Sequence, residues 1–169
     1  MRRVFISAPG DLEADRDACR AALSQVNEAS AMPERILLVP VGLTRDDQIV
    51  GFRAAASENV RAAAYFIQIF EDDWGPKNLF RKLFYLATEC RENAETPMSE
   101  VVTFLKDAPK ETDPEVLAFR KELEDRRDVR VLRYRTLDEL QAHLTEISQG
   151  WVVAIRSDPA HAEPAAQSQ

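Results

Sequence analysis

Two short polar stretches stand directly behind apolar runs, and they are where this chain could do chemistry. Ser7-Ala8-Pro9-Gly10-Asp11 follows Val4-Phe5-Ile6, and Glu71-Asp72-Asp73-Trp74-Gly75 follows Tyr65-Phe66-Ile67-Gln68-Ile69-Phe70. The first stretch leads into an amphipathic segment. Backbone amides at such a helix start, helped by the helix dipole, can hold a phosphate. The second carries an indole able to stack on a flat base. The plain alternatives are a strand-to-helix connector with a cap and a ring that plugs the end of a sheet. Glu71, Asp72 and Asp73 lack the spacing of a cation-binding loop. Ser7 has no histidine partner at a recognisable spacing, so a hydrolase triad is not indicated. His143 and His161 fall in the last helix and the tail, and neither has a catalytic setting. No phosphate-loop or dinucleotide fingerprint is present.

The elements that must position these stretches follow from periodicity. Val4-Ile6, Ile36-Val41, Tyr65-Phe70 and Val101-Leu105 are short apolar runs, and Val129-Tyr134 alternates in part as an edge strand would, which predicts five strands. Helical spacing predicts helices over Leu12 to Ala29, Gln48 to Ala63, Asn78 to Asn93, Pro114 to Arg127 and Leu137 to Ile155. Asp11 is placed to cap the first, and Thr136 with Glu139 forms a capping box for the last. Gly42 to Asp47 reads as a loop. Strands alternating with helices predict an α/β fold of three layers around a five-stranded parallel sheet. The flavodoxin-like strand order 2-1-3-4-5 is expected. Ligands in such sheets sit at the carboxyl ends of the strands, where the order reverses. That brings the ends of the first and third strands, and hence the two polar stretches, to one place.

Composition bounds the rest. The 169 residues suit one domain, taken as 1–156, and the Pro/Ala/Ser/Gln-rich residues 157–169 read as a disordered tail. A net charge of −7 argues against a broad electrostatic grip on nucleic acid. No apolar stretch is long enough to span a bilayer, and the opening run is too short for a signal peptide, so a cytoplasmic location is expected. Cys19 and Cys90 read as two buried thiols, and the scattered Cys and His residues make no zinc signature. The arginines at 126, 127, 130, 133 and 135 read as a solvated edge.

The opening Phe5-Ile6-Ser7-Ala8-Pro9-Gly10-Asp11-Leu12, with Asp15-Arg16 behind it, resembles a bacterial TIR-like domain family. That family is distantly related to Toll/interleukin-1 receptor domains and is often found at the N-terminus of STAND-type NTPases. The third strand with its Asp73-Trp74-Gly75-Pro76 end, Glu89 on the helix, and Pro97 ahead of Val101-Val102-Thr103-Phe104-Leu105-Lys106-Asp107 extend the likeness over roughly Val4 to Trp151. The family's run before the helix glutamate is replaced here by Phe84-Tyr85-Leu86-Ala87-Thr88. Glu89 keeps the spacing to Phe104, Arg91 takes the position if Thr88 is the family threonine, and Glu92 stands next.

The resemblance implies a nucleotide-processing domain in bacterial signalling or defence, cleaving the nicotinamide–ribose bond of NAD as substrate with no other cofactor required. In that reading Glu89 is the catalytic carboxylate, Trp74 stacks on the nucleotide, and Ser7, Ala8, Pro9, Gly10 and Asp11 form the phosphate-side loop. One carboxylate suffices for an oxocarbenium-like transition state. The resemblance also implies self-association or contact with other TIR-like signalling proteins. The alternative is a non-catalytic interaction or scaffold module built on the same fold.

Overall fold

The computed structural model describes residues 1–43 and 53–161. Part of the expected loop at 42–47 and of the expected helix at 48–63 lies outside these residues, as does the tail beyond His161. Strands β1 (Arg2–Ser7), β2 (Leu38–Gly42), β3 (Tyr65–Phe70), β4 (Glu100–Lys106) and β5 (Arg130–Tyr134) form one parallel sheet of order β2-β1-β3-β4-β5. The helices are α1 (Glu13–Val26), α2 (Arg53–Arg61), α3 (Leu79–Glu92), α4 (Pro114–Asp125) and α5 (Leu137–Ser157). The fold is the expected α/β sandwich with the expected strand order.

Strand side chains alternate between two cores, because successive Cβ atoms point to opposite faces. Val4, Ile6, Ile67, Ile69, Val102 and Phe104 pack with α1 and α5. Phe5, Phe66, Phe70, Val101 and Leu105 pack with α2, α3 and α4. The three central strands are buried on both faces, which is why they read as unbroken apolar runs.

Two details differ from the expected boundaries. The first helix does not run straight to Ala29: its regular part ends at Val26 and a wider turn covers Asn27–Ala31. The Asn27 amide donates to the Leu38 carbonyl (2.8 Å) and its oxygen accepts from Leu38 N–H (2.9 Å), so the chain is tied to the edge strand β2. Asp11 does not cap α1. It lies inside a 3-10 turn, Gly10–Leu12, and no side-chain capping bond forms there. The cap on α5 is as expected, with Thr136 Oγ1 accepting from Glu139 N–H at 3.2 Å. That helix continues to Ser157, and a further turn at Pro159–His161 follows.

Candidate functional site at the carboxyl edge of the sheet

The loops after β1 and β3 do meet, and what they bring together is acidic. Carboxylate oxygens of Asp11, Glu71 and Asp72 all lie within 4.8 Å of one another. Glu71 is half-buried while Asp11 and Asp72 are exposed. Burial raises the Glu71 carboxyl above its ordinary pKa, and Asp72, Asp11 and Asp15 push the same way against an opposing Lys106. Asp72 is raised by burial and by Asp11, Glu111 and Asp73, with Arg120 opposing. Three oxygens could supply part of the shell of a hard divalent cation.

Beneath this cluster lies a polar network with no counterpart in the sequence reading. Asp15, on the first turn of α1, is buried. It accepts from Lys106 Nζ at 3.1 Å and from the Tyr134 hydroxyl at 2.6 Å. Lys106 and Tyr134 are register partners at the ends of β4 and β5, so the sheet itself fixes their spacing. Burial and the bond to Asp15 hold the Tyr134 hydroxyl far above the ordinary phenol range. Arg120 of α4 donates to the Glu71 backbone carbonyl at 2.9 Å and anchors that loop from the other face. The signal available in sequence was the pair Asp11 and Asp15, four residues apart, with Lys106 at a strand end.

The expected site residues are not gathered equally. Ser7 is fully buried; its hydroxyl donates to Gln68 Oε1 at 3.0 Å, and Gln68 Nε2 returns a bond to the Ser7 carbonyl at 3.2 Å. Ala8 and Pro9 are buried as well, and the Pro9 carbonyl is taken by Leu12 N–H. Of this stretch only Gly10 and Asp11 reach the surface. Trp74 lies against Phe70 and Phe119 at ring separations of 5.5 and 5.7 Å, with the Arg81 guanidinium 5.2 Å from its ring. Its Nε1 is buried without a hydrogen-bond partner among the described residues. Gly75, at φ +70°, lets the loop turn beneath the Phe80 ring; a Cβ there would stand 2.5 Å from that ring.

Glu89 is not brought to this edge. It is exposed in the last turn of α3. That helix starts beside Trp74 and runs back to the opposite edge, so ten residues of helix separate Glu89 from Leu79, about 15 Å. Its neighbour Cys90 feels Arg61, at the end of α2. Arg91 lines a cavity at the amino ends of β1, β3 and β4, and Glu92 ends the same helix. None of the three candidates for the helix glutamate position therefore belongs to the carboxyl edge.

No known family model matches the chain, and neither does any curated protein. Among the described residues, no helix is long and apolar enough to cross a membrane.

Proposed function

We propose that the chain is a TIR-like domain that cleaves an N-glycosidic bond in a nicotinamide nucleotide or nucleoside, and that Glu71 is its reacting carboxylate. The observation that carries this reading is the convergence of Asp11, Glu71 and Asp72 at the end of β3. Three carboxylates repel a phosphate. They suit the other end of such a substrate, the cationic pyridinium and the ribose hydroxyls, which donate hydrogen bonds to carboxylate oxygens. The stretch from Ser7 to Asp11 therefore contributes Asp11 to the sugar rather than a phosphate cradle.

In the reaction the bond from ribose C1′ to the nicotinamide nitrogen breaks, and its electron pair leaves with neutral nicotinamide. Positive charge develops on the ribose, where an ionised Glu71 stabilises it. Water adds to C1′ and loses its proton to the carboxylate or to solvent. Arg120 holds the Glu71 loop through its bond to the Glu71 carbonyl and is a positioning residue, while Lys106, fixed by Asp15, favours the ionised form of Glu71.

A second reading, a non-catalytic interaction module, is favoured by Trp74. Its ring lies packed among Phe70, Phe119 and Arg81, as expected of a plug in the sheet end. One experiment separates the two. Nicotinamide release from NAD and from nicotinamide riboside is followed for the wild type, Glu71→Gln and Glu89→Ala. The enzymatic reading expects release that falls at least about 100-fold in Glu71→Gln and persists in Glu89→Ala. No release from either substrate by the wild type favours the interaction module.

A further inference from the structure

Arg16, buried in the first turn of α1, donates to the Leu43 carbonyl at 3.2 Å, and two further arginines stand at the opposite, amino edge of the sheet. A cavity of about 580 Å³ opens at the amino ends of the strands, lined by Arg2, Tyr65, Arg91, Ser99, Trp151 and Asp158 among others. This volume falls within the range of small-molecule sites. Arg2 stands on β1 and Arg91 on the last turn of α3, and neither makes an ion pair among the described residues. Tyr65 is largely buried, and its ring lines the cavity, with the hydroxyl not among the buried groups that lack a partner. Burial lifts this phenol to about 12, against the pull of Arg2, so it is a donor at any physiological pH.

The rest of the wall is rigid. Tyr65 and Trp151 stack at 4.1 Å, and Trp151 Nε1 donates to Glu100 Oε2 at 2.5 Å. Glu100 is held in turn by Arg130 at 2.7 Å, so its charge is already matched. Asp158 is the exposed carboxylate on the rim, and one of its oxygens accepts from Ala160 N–H at 3.0 Å. The helices α3 and α5 both end here, and their carbonyl ends favour nearby cations. Both arginines stand at the cavity without an ion pair among the described residues, and the Tyr65 side chain lines the same cavity.

We infer that this cavity binds a small organic phosphate, with Arg2 and Arg91 on the phosphate oxygens, the Tyr65 hydroxyl donating to one of them, and the organic body against Trp151 and Pro97. Guanidinium groups match phosphate with paired N–H donors. The site is independent of the chemistry proposed at the carboxyl edge.

The test is a titration of the isotopically labelled protein, read by amide chemical shifts, with adenosine 5′-monophosphate, phenyl phosphate, adenosine and inorganic phosphate. At least one organic phosphate is expected to shift the amides of Arg2, Tyr65, Arg91 and Ser99, and to bind at least about tenfold tighter than adenosine and than inorganic phosphate. Arg2→Gln and Arg91→Gln should each weaken it about tenfold. Tyr65→Phe, which keeps the stack on Trp151, should weaken it about threefold, and Asp158→Asn should tighten it. No response to either organic phosphate at millimolar concentration overturns the inference. So does binding that Arg2→Gln and Arg91→Gln leave unchanged, or equal binding of adenosine or inorganic phosphate.

Discussion

The two edges of the sheet gather different groups: carboxylates beside Lys106 and Arg120 at one, and two arginines beside Glu100 and Asp158 at the other. At the carboxyl edge, where helices begin, Asp11, Asp15, Glu71 and Asp72 gather. At the amino edge, where α3 and α5 end, Arg2 and Arg91 line a cavity. Helix N-termini favour anions and C-termini favour cations, by up to about 1 kcal/mol each at exposed positions. In a parallel sheet all these dipoles point the same way. The helix-start edge commonly takes a phosphate for this reason. Here side-chain carboxylates already occupy that role, so a phosphate fits better at the opposite end.

The largest expected effect tests how deeply the acidic edge is built in. Asp15→Ala leaves the Lys106 ammonium and the Tyr134 hydroxyl facing a vacancy, and should cost about 3 kcal/mol in urea unfolding. A loss below about 1 kcal/mol would mean the network is replaceable by water. Gly75→Ala should cost about 2 kcal/mol, since it sets a Cβ against Phe80 at φ +70°. Its checkable counterpart is a weakened Trp74 environment in near-ultraviolet circular dichroism.

Glu71→Gln should act in the opposite direction. The folded-state pKa of Glu71 is raised, so its charged form is disfavoured by folding. Its contribution is most favourable at low pH and is lost as pH rises through the folded value. The glutamine variant should therefore melt about 1–2 °C higher at pH 7, with the gain vanishing below the ordinary glutamate pKa. A gain that grows on acidification would contradict the assigned cause. At the other edge, Arg91→Gln should change stability by less than about 0.5 kcal/mol, because no ion pair is lost among the described residues. A loss above about 1 kcal/mol in urea unfolding would show that Arg91 supports the fold.

The strands and their order were legible because aromatic and β-branched runs such as Tyr65–Phe70 have few other uses, and because alternation with helices leaves few topologies. The meeting of the β1 and β3 loops followed from that order. What was not legible needed the third dimension. Asp15 looks like an ordinary first-turn acid, and only the register of β4 with β5 places Lys106 and Tyr134 over it. Asn27 reads as a helix residue, and its pairing with Leu38 spans eleven positions. Ser7 looks like a loop residue and is instead buried against Gln68. The position of Glu89 was within reach of counting. A helix that returns antiparallel to its strand carries each later residue about 1.5 Å further from the carboxyl edge.

The measurement that tests the two-edge account most directly is a shift map with nicotinamide riboside, a phosphate-free cation, on the intact chain. The account predicts shifts at Asp11, Asp72 and Lys106, lost in Glu71→Gln, with Arg2 and Arg91 undisturbed. Shifts confined to the Arg2 and Arg91 cavity, or shifts near Glu89 that Glu71→Gln leaves intact, would contradict it.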